Sequence, residues 1–97
     1  MIHFNNDLFT EAMRQNIMNN IESSNIIKAH LLENINKIDF FLKKDNNFLF
    51  NLSLKTRWND GVTRTNKDIH LEQNGEDFYV LVKQILERLE RQIRKYK

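Results

Sequence analysis

The chemistry this sequence is best equipped for is carried by cations. Its last twelve residues, LERLERQIRKYK, contain Arg88, Arg91, Arg94, Lys95 and Lys97. From Lys83 onward six basic residues stand against two acidic ones, whereas residues 1–50 carry five basic and six acidic. The net charge of the whole chain is only +2, so the excess is one-ended. A one-ended excess is the footprint expected of a polyanion binder. With Val82 at the origin of a helical wheel, Arg91 falls at about 180°, Lys95 at about 220° and Arg88 at about 240°. No acidic residue interrupts these three, while Lys83 and Arg94 share one flank with Glu87 and Glu90. Three cations over two helical turns suit the phosphates along a nucleic-acid groove, and Arg can hold a phosphate through two donors. A plainer account stands beside this one. Glu87–Arg91 and Glu90–Arg94 have the i,i+4 spacing of helix-stabilising pairs, and basic residues in a last turn complement the helix dipole.

Lys55, Arg57, Arg64 and Lys67 bracket Trp58. They are either two solvated strand ends or a second basic strip, with Trp58 free to stack on an unpaired base. Trp58 serves equally well at the edge of a core, the reading favoured here because Trp is usually largely buried. His3, His30 and His70 have no His, Cys or carboxylate at ligand spacing, and the chain contains no Cys. No metal site is expected. Glu76 and Asp77 are adjacent, so on a helix their side chains diverge, and they suit a helix start better than acid–base work. There is no serine-centred elbow and no glycine-rich phosphate loop. Neither enzymatic activity nor a cofactor is expected.

The elements that must position these residues follow from periodicity. Ninety-seven residues with 40% hydrophobic content suit a single domain with one core. Asp7 or Thr10 can cap a helix through Ile21, with Ala12, Met13, Ile17, Met18 and Ile21 at helical spacing. Ser23 or Ser24 can cap a second run containing Ile27, Leu31, Ile35 and Ile38; two helices or one bent helix fit equally. Residues 2–4 read as a short edge strand. Alternation in KIDFFLKK and FLFNLSLKTR, separated by Asp45-Asn46-Asn47, predicts a hairpin over residues 37–57. Trp58-Asn59-Asp60-Gly61 reads as a further turn, followed by a polar strand around Lys67–Gln73. Asn74 can cap a final helix from about Gly75, with Val82, Ile85, Leu86, Leu89, Ile93 and Tyr96 on one stripe. No apolar run approaches the ~20 residues of a membrane span, no secretory leader is evident, and the chain reads as cytoplasmic.

The stretch GEDFYVLVKQILERLERQIRKYK, Gly75 to Lys97, resembles the end of the ribosome hibernation promoting factor family, which includes ribosome-associated inhibitor A. Members close on an acidic pair, an aromatic and a helix ending in a Leu-Glu-Arg-Gln-φ-Arg-Lys run. Glu76-Asp77-Phe78-Tyr79 and Leu89-Glu90-Arg91-Gln92-Ile93-Arg94-Lys95 match that pattern. The resemblance covers roughly the last 60 residues and implies an α+β domain. Its order would be β-α-β-β-β-α, one sheet against two helices, here with a helix-rich N-terminal third and with residues 58–66 inserted between the third and fourth strands. It implies a partner, the small ribosomal subunit with its rRNA, and a role in blocking the mRNA and tRNA channel of idle ribosomes. The whole of residues 1–97 would then be one ribosome-binding domain, a short form or a fragment. Arg88, Arg91, Arg94 and Lys95 would be the main contacts, with Lys83, Lys97, Arg64 and Lys67 secondary. Two alternatives remain open. One is a general nucleic-acid-binding module; the other is a protein-interaction domain that self-associates through the apolar face of its N-terminal helices.

Overall fold

A computed structural model describes residues 1–31, 33–45, 48–60 and 65–96. The chain order is β1 (Ile2–Phe4), α1 (Glu11–Glu22), α2 (Asn25–His30), β2 (Ile38–Lys44), β3 (Phe50–Asp60), β4 (Thr65–Gly75) and α3 (Phe78–Tyr96). The four strands form one sheet in the order β1-β2-β3-β4, with β1 parallel to β2 and the other pairs antiparallel. This is the expected α+β arrangement, with its first crossover divided into two helices.

Local chemistry accounts for that division. The Thr10 hydroxyl accepts from the Met13 N–H at 3.2 Å and starts α1, which buries Ile17 and Ile21. Ser24 then opens α2: its hydroxyl accepts from the Ile27 N–H at 3.2 Å and donates to Glu90 of α3 at 2.6 Å. One side chain thus caps a helix and ties it to the last one. The second run stops at His30 rather than continuing to Ile38. The His30 carbonyl accepts from the Asn34 and Ile35 N–H groups, and Ile35 and Ile38 enter the core from non-helical backbone.

Alternation sorts the sheet into two faces. Ile38, Phe40 and Leu42 of β2, Leu52, Leu54 and Trp58 of β3, and Ile69 and Leu71 of β4 are buried beneath the helices. Asp39 and Phe41 are half-buried on the other face, which carries exposed Lys55, Arg57, Asp68, His70 and Glu72 and, among the described residues, has no helix over it. The stripe on α3 behaves as its spacing predicts: Val82, Ile85, Leu86, Leu89 and Ile93 are buried, joined by Phe78 and Leu81. Burying side chains of this size contributes about 1.5–3 kcal/mol each, an upper bound because unfolded chains are partly compact. Of the side chain of Tyr96, the sixth residue of that stripe, nothing is described.

Two boundaries differ from expectation. Asn74 does not cap α3. It pairs with Asn51 across β3 and β4, and the Asn51 side-chain N–H donates to it at 2.5 Å. The carboxylate of Asp77 accepts from the Tyr79 N–H at 3.0 Å instead, so the helix begins at Phe78. Nor is Trp58–Asp60 a turn. These residues continue β3, with Trp58 opposite Lys67, Asn59 opposite Asn66 and Asp60 opposite Thr65. What reads as an insertion is therefore, in its described part, an extension of the β3–β4 ladder; residues 61–64, which include Arg64, lie outside the described residues.

The same extension settles the place of Trp58. It is 5% exposed, and its ring lies 5.0 Å from that of His30. Trp58 is core, not a free stacking surface.

Candidate nucleic-acid interface

Helix α3 runs with its apolar stripe against the sheet and its two flanks occupied by neighbours. On one flank Arg88 reaches β4. Its Nη1 donates to the main-chain carbonyl of Glu72 and, at 3.0 Å, to the side-chain oxygen of Gln73, which itself donates to Gln84 at 3.1 Å. The other flank meets the α1–α2 junction, where Lys83, Glu87 and Glu90 border a shallow cleft with Asn20, Ser23 and Ser24. Glu90 is bound there by Ser24.

These neighbours change the charge pattern that the wheel suggests. Among the described residues, neither Glu87–Arg91 nor Glu90–Arg94 closes to an ion pair. Arg88 does not join Arg91 and Lys95 on the outer face, because its long side chain folds back to the edge of the sheet. What faces solvent is Arg91, Arg94 and Lys95, all exposed, with no carboxylate at ion-pair distance among the described residues. Exposed Lys83 lies two turns nearer the helix start, beside the cleft. Lys97 lies outside the described residues.

The second basic strip divides. Lys67 shares a register position with Trp58 and therefore the helix side of the sheet. Lys55 and Arg57 have the opposite parity and project from the open side. There Arg57 pairs with Asp68 at 2.8 Å, and Lys55 lies 5.4 Å from the ring centre of Phe41. Among the described residues no group of three or more His, Cys, Asp or Glu is placed to hold a metal ion, and no helix is long and apolar enough to cross a membrane.

The division between Arg88 and its neighbours is testable by stability alone. Arg88→Ala is expected to lower the unfolding free energy by about 1 kcal/mol, the loss of a charge-assisted hydrogen bond discounted for its exposure. Arg91→Ala should change it by less than about 0.5 kcal/mol. Urea denaturation of the two variants checks this; equal effects would remove the structural role assigned to Arg88.

The fold has solved counterparts. A ribosomal subunit interface protein from Coxiella burnetii superposes with a TM-score of 0.72 at 16% identity, covering 99% of this chain and 93% of that one. The N-terminal domain of Thermus thermophilus Protein Y superposes with a TM-score of 0.68 at 13% identity, covering 99% and 94%. At such identities the likeness is one of fold. No curated protein matches the sequence. The model of one family does match, over residues 2–97, nearly the full chain and far beyond the C-terminal stretch that carries the resemblance in sequence; this chain belongs to the sigma 54 modulation protein / S30EA ribosomal protein family.

Proposed function

We propose that the protein is a ribosome hibernation factor that docks on the small ribosomal subunit in the cytoplasm and blocks the channel used by mRNA and tRNA. The observation that carries this reading is the set of exposed cations Arg91, Arg94 and Lys95, without carboxylate partners among the described residues, on a chain of a ribosome-associated family. Lys83, Lys67, Arg64 and Lys97 are secondary candidates. Arg88 acts through β4, holding the last helix in register so that its neighbours keep their spacing. The mechanism is occlusion without chemistry: a body of 45 × 21 × 21 Å, held by one continuous core, occupies space that translation needs.

The occlusion claim predicts competition. A saturating amount of the protein should exclude mRNA and tRNA from isolated small subunits, measured by filter binding of labelled tRNA. Undiminished tRNA binding on subunits that carry the protein would contradict occlusion. A general nucleic-acid-binding module would instead lose its ribosome binding to an arbitrary RNA duplex added in modest excess.

A further inference from the structure

The tip of the β2–β3 hairpin combines strain with exposure. Phe48 has φ of 63°, the only positive φ among the described residues. For a residue with a Cβ the left-handed region is unfavourable, and hairpin tips usually place Gly or Asn there. Burial does not offset this, since Phe48 is 73% exposed. Asp45, Phe48 and Leu49 are nonetheless tied to one another. The Asp45 N–H donates to the Leu49 carbonyl at 3.0 Å, the Leu49 N–H to the Asp45 carboxylate at 3.0 Å, and the Phe48 N–H to the Asp45 carbonyl at 3.3 Å.

One cation lies against the ring. The Lys44 ammonium lies 5.5 Å from the ring centre of Phe48 and 5.4 Å from that of Phe50, between the two aromatics. Beside the tip lies an open groove of about 560 Å³ at the end of the sheet, with Lys43, Asn51 and Asn74 on the uncovered side and Lys44 and Phe50 on the helix side. Lys43, Asn51 and Asn74 form one cross-strand row in it. The two carboxylates present are engaged, Asp45 by the turn and Glu72 by His70 at 3.4 Å. Asn74 accepts from Asn51 through its side-chain oxygen.

We propose that Phe48 is a stacking residue for an unpaired RNA base, with Lys44, which lies against its ring, and neighbouring Lys43 available to the flanking phosphates. The chemistry favours RNA over an apolar protein surface. A dry partner would bury two lysines without counter-charges, whereas a nucleotide supplies a flat ring for Phe48 and anionic oxygens for the lysines. The site deepens the hibernation reading, because unpaired rRNA bases would be its targets, and it lies apart from the α3 cations.

Phe48→Gly separates a stacking role from a structural one by sign. Glycine is at ease at this φ, so the variant should melt higher than wild type while binding a short unstructured RNA at least about tenfold more weakly. Phe48→Trp should restore the affinity. Quenching of a 2-aminopurine base in that RNA on addition of wild-type protein, lost with Phe48→Gly, is the expected signature. Three results would overturn the proposal: no binding of unstructured RNA by wild type, equal affinity of the glycine variant, or a loss seen only with intact subunits, which would place the ring against ribosomal protein. Phe48-dependent binding of RNA by a protein that does not sediment with subunits would leave the stacking site standing and remove the hibernation reading.

Discussion

Reversing the charges of Arg91, Arg94 and Lys95 together is expected to weaken binding to the small subunit by about 100-fold or more near 0.15 M salt, with the fold intact. The magnitude follows from counterion release. Each phosphate contact contributes about 0.7–0.9 to the slope of log affinity against log salt, so three contacts amount to about two log units of affinity at that ionic strength. Reversal adds repulsion to the loss. These residues are exposed, and among the described residues they form no ion pair, so the change should leave the cooperative unfolding transition in place. Sedimentation binding and circular dichroism on the same preparation decide the matter. Wild-type affinity in the triple variant would remove α3 from the interface.

Trp58→Ala carries the largest expected loss of stability, about 3–5 kcal/mol. Small domains have only about 5–15 kcal/mol in total, so a Tm fall of more than about 10 °C should follow. Trp58 fills the space between the extended end of β3 and the close of α2, where its ring meets His30. A stacking residue would behave in the opposite way, losing RNA affinity with stability unchanged. As the sole tryptophan, Trp58 also reports on itself. Its emission should be blue-shifted in the folded protein and insensitive to added RNA; emission typical of exposed indole would contradict its burial.

Why some elements could be read in the chain and others not has physical causes. Helix α3 is nineteen residues of unbroken 3.6-residue periodicity, long enough that nothing competes with it, and its buried stripe follows the spacing. The β2–β3 hairpin likewise follows from alternating apolar residues. The ladder beyond Trp58 does not: Asn59, Asp60, Asn66 and Lys67 are polar, and an Asp-Gly pair there signals a turn, so the two strands lengthen on main-chain pairing that leaves no apolar trace. The start of α3 turns on two good caps, Asn74 and Asp77. Strand pairing with Asn51 claims the first, a tertiary fact no local pattern holds.

The site divides the same way. That Arg91, Arg94 and Lys95 face solvent was legible from their positions on the wheel. Arg88 was not, because a helical wheel tracks Cα directions and a guanidinium extends far beyond them. Phe48 opens the alternation Phe48, Phe50, Leu52 and Leu54 and so reads as a strand residue, but β3 begins at Phe50 and Phe48 takes a left-handed backbone, which is foreseen where Gly or Asn stands and Phe is neither.

Co-sedimentation with purified small subunits across a salt series tests the central claim most directly. The account predicts one molecule per subunit at low salt, with affinity falling by about 0.7–0.9 log units per contact for each log unit of salt and little competition from unrelated duplex RNA. Absence of binding at low salt, or equal binding to any duplex, would contradict it.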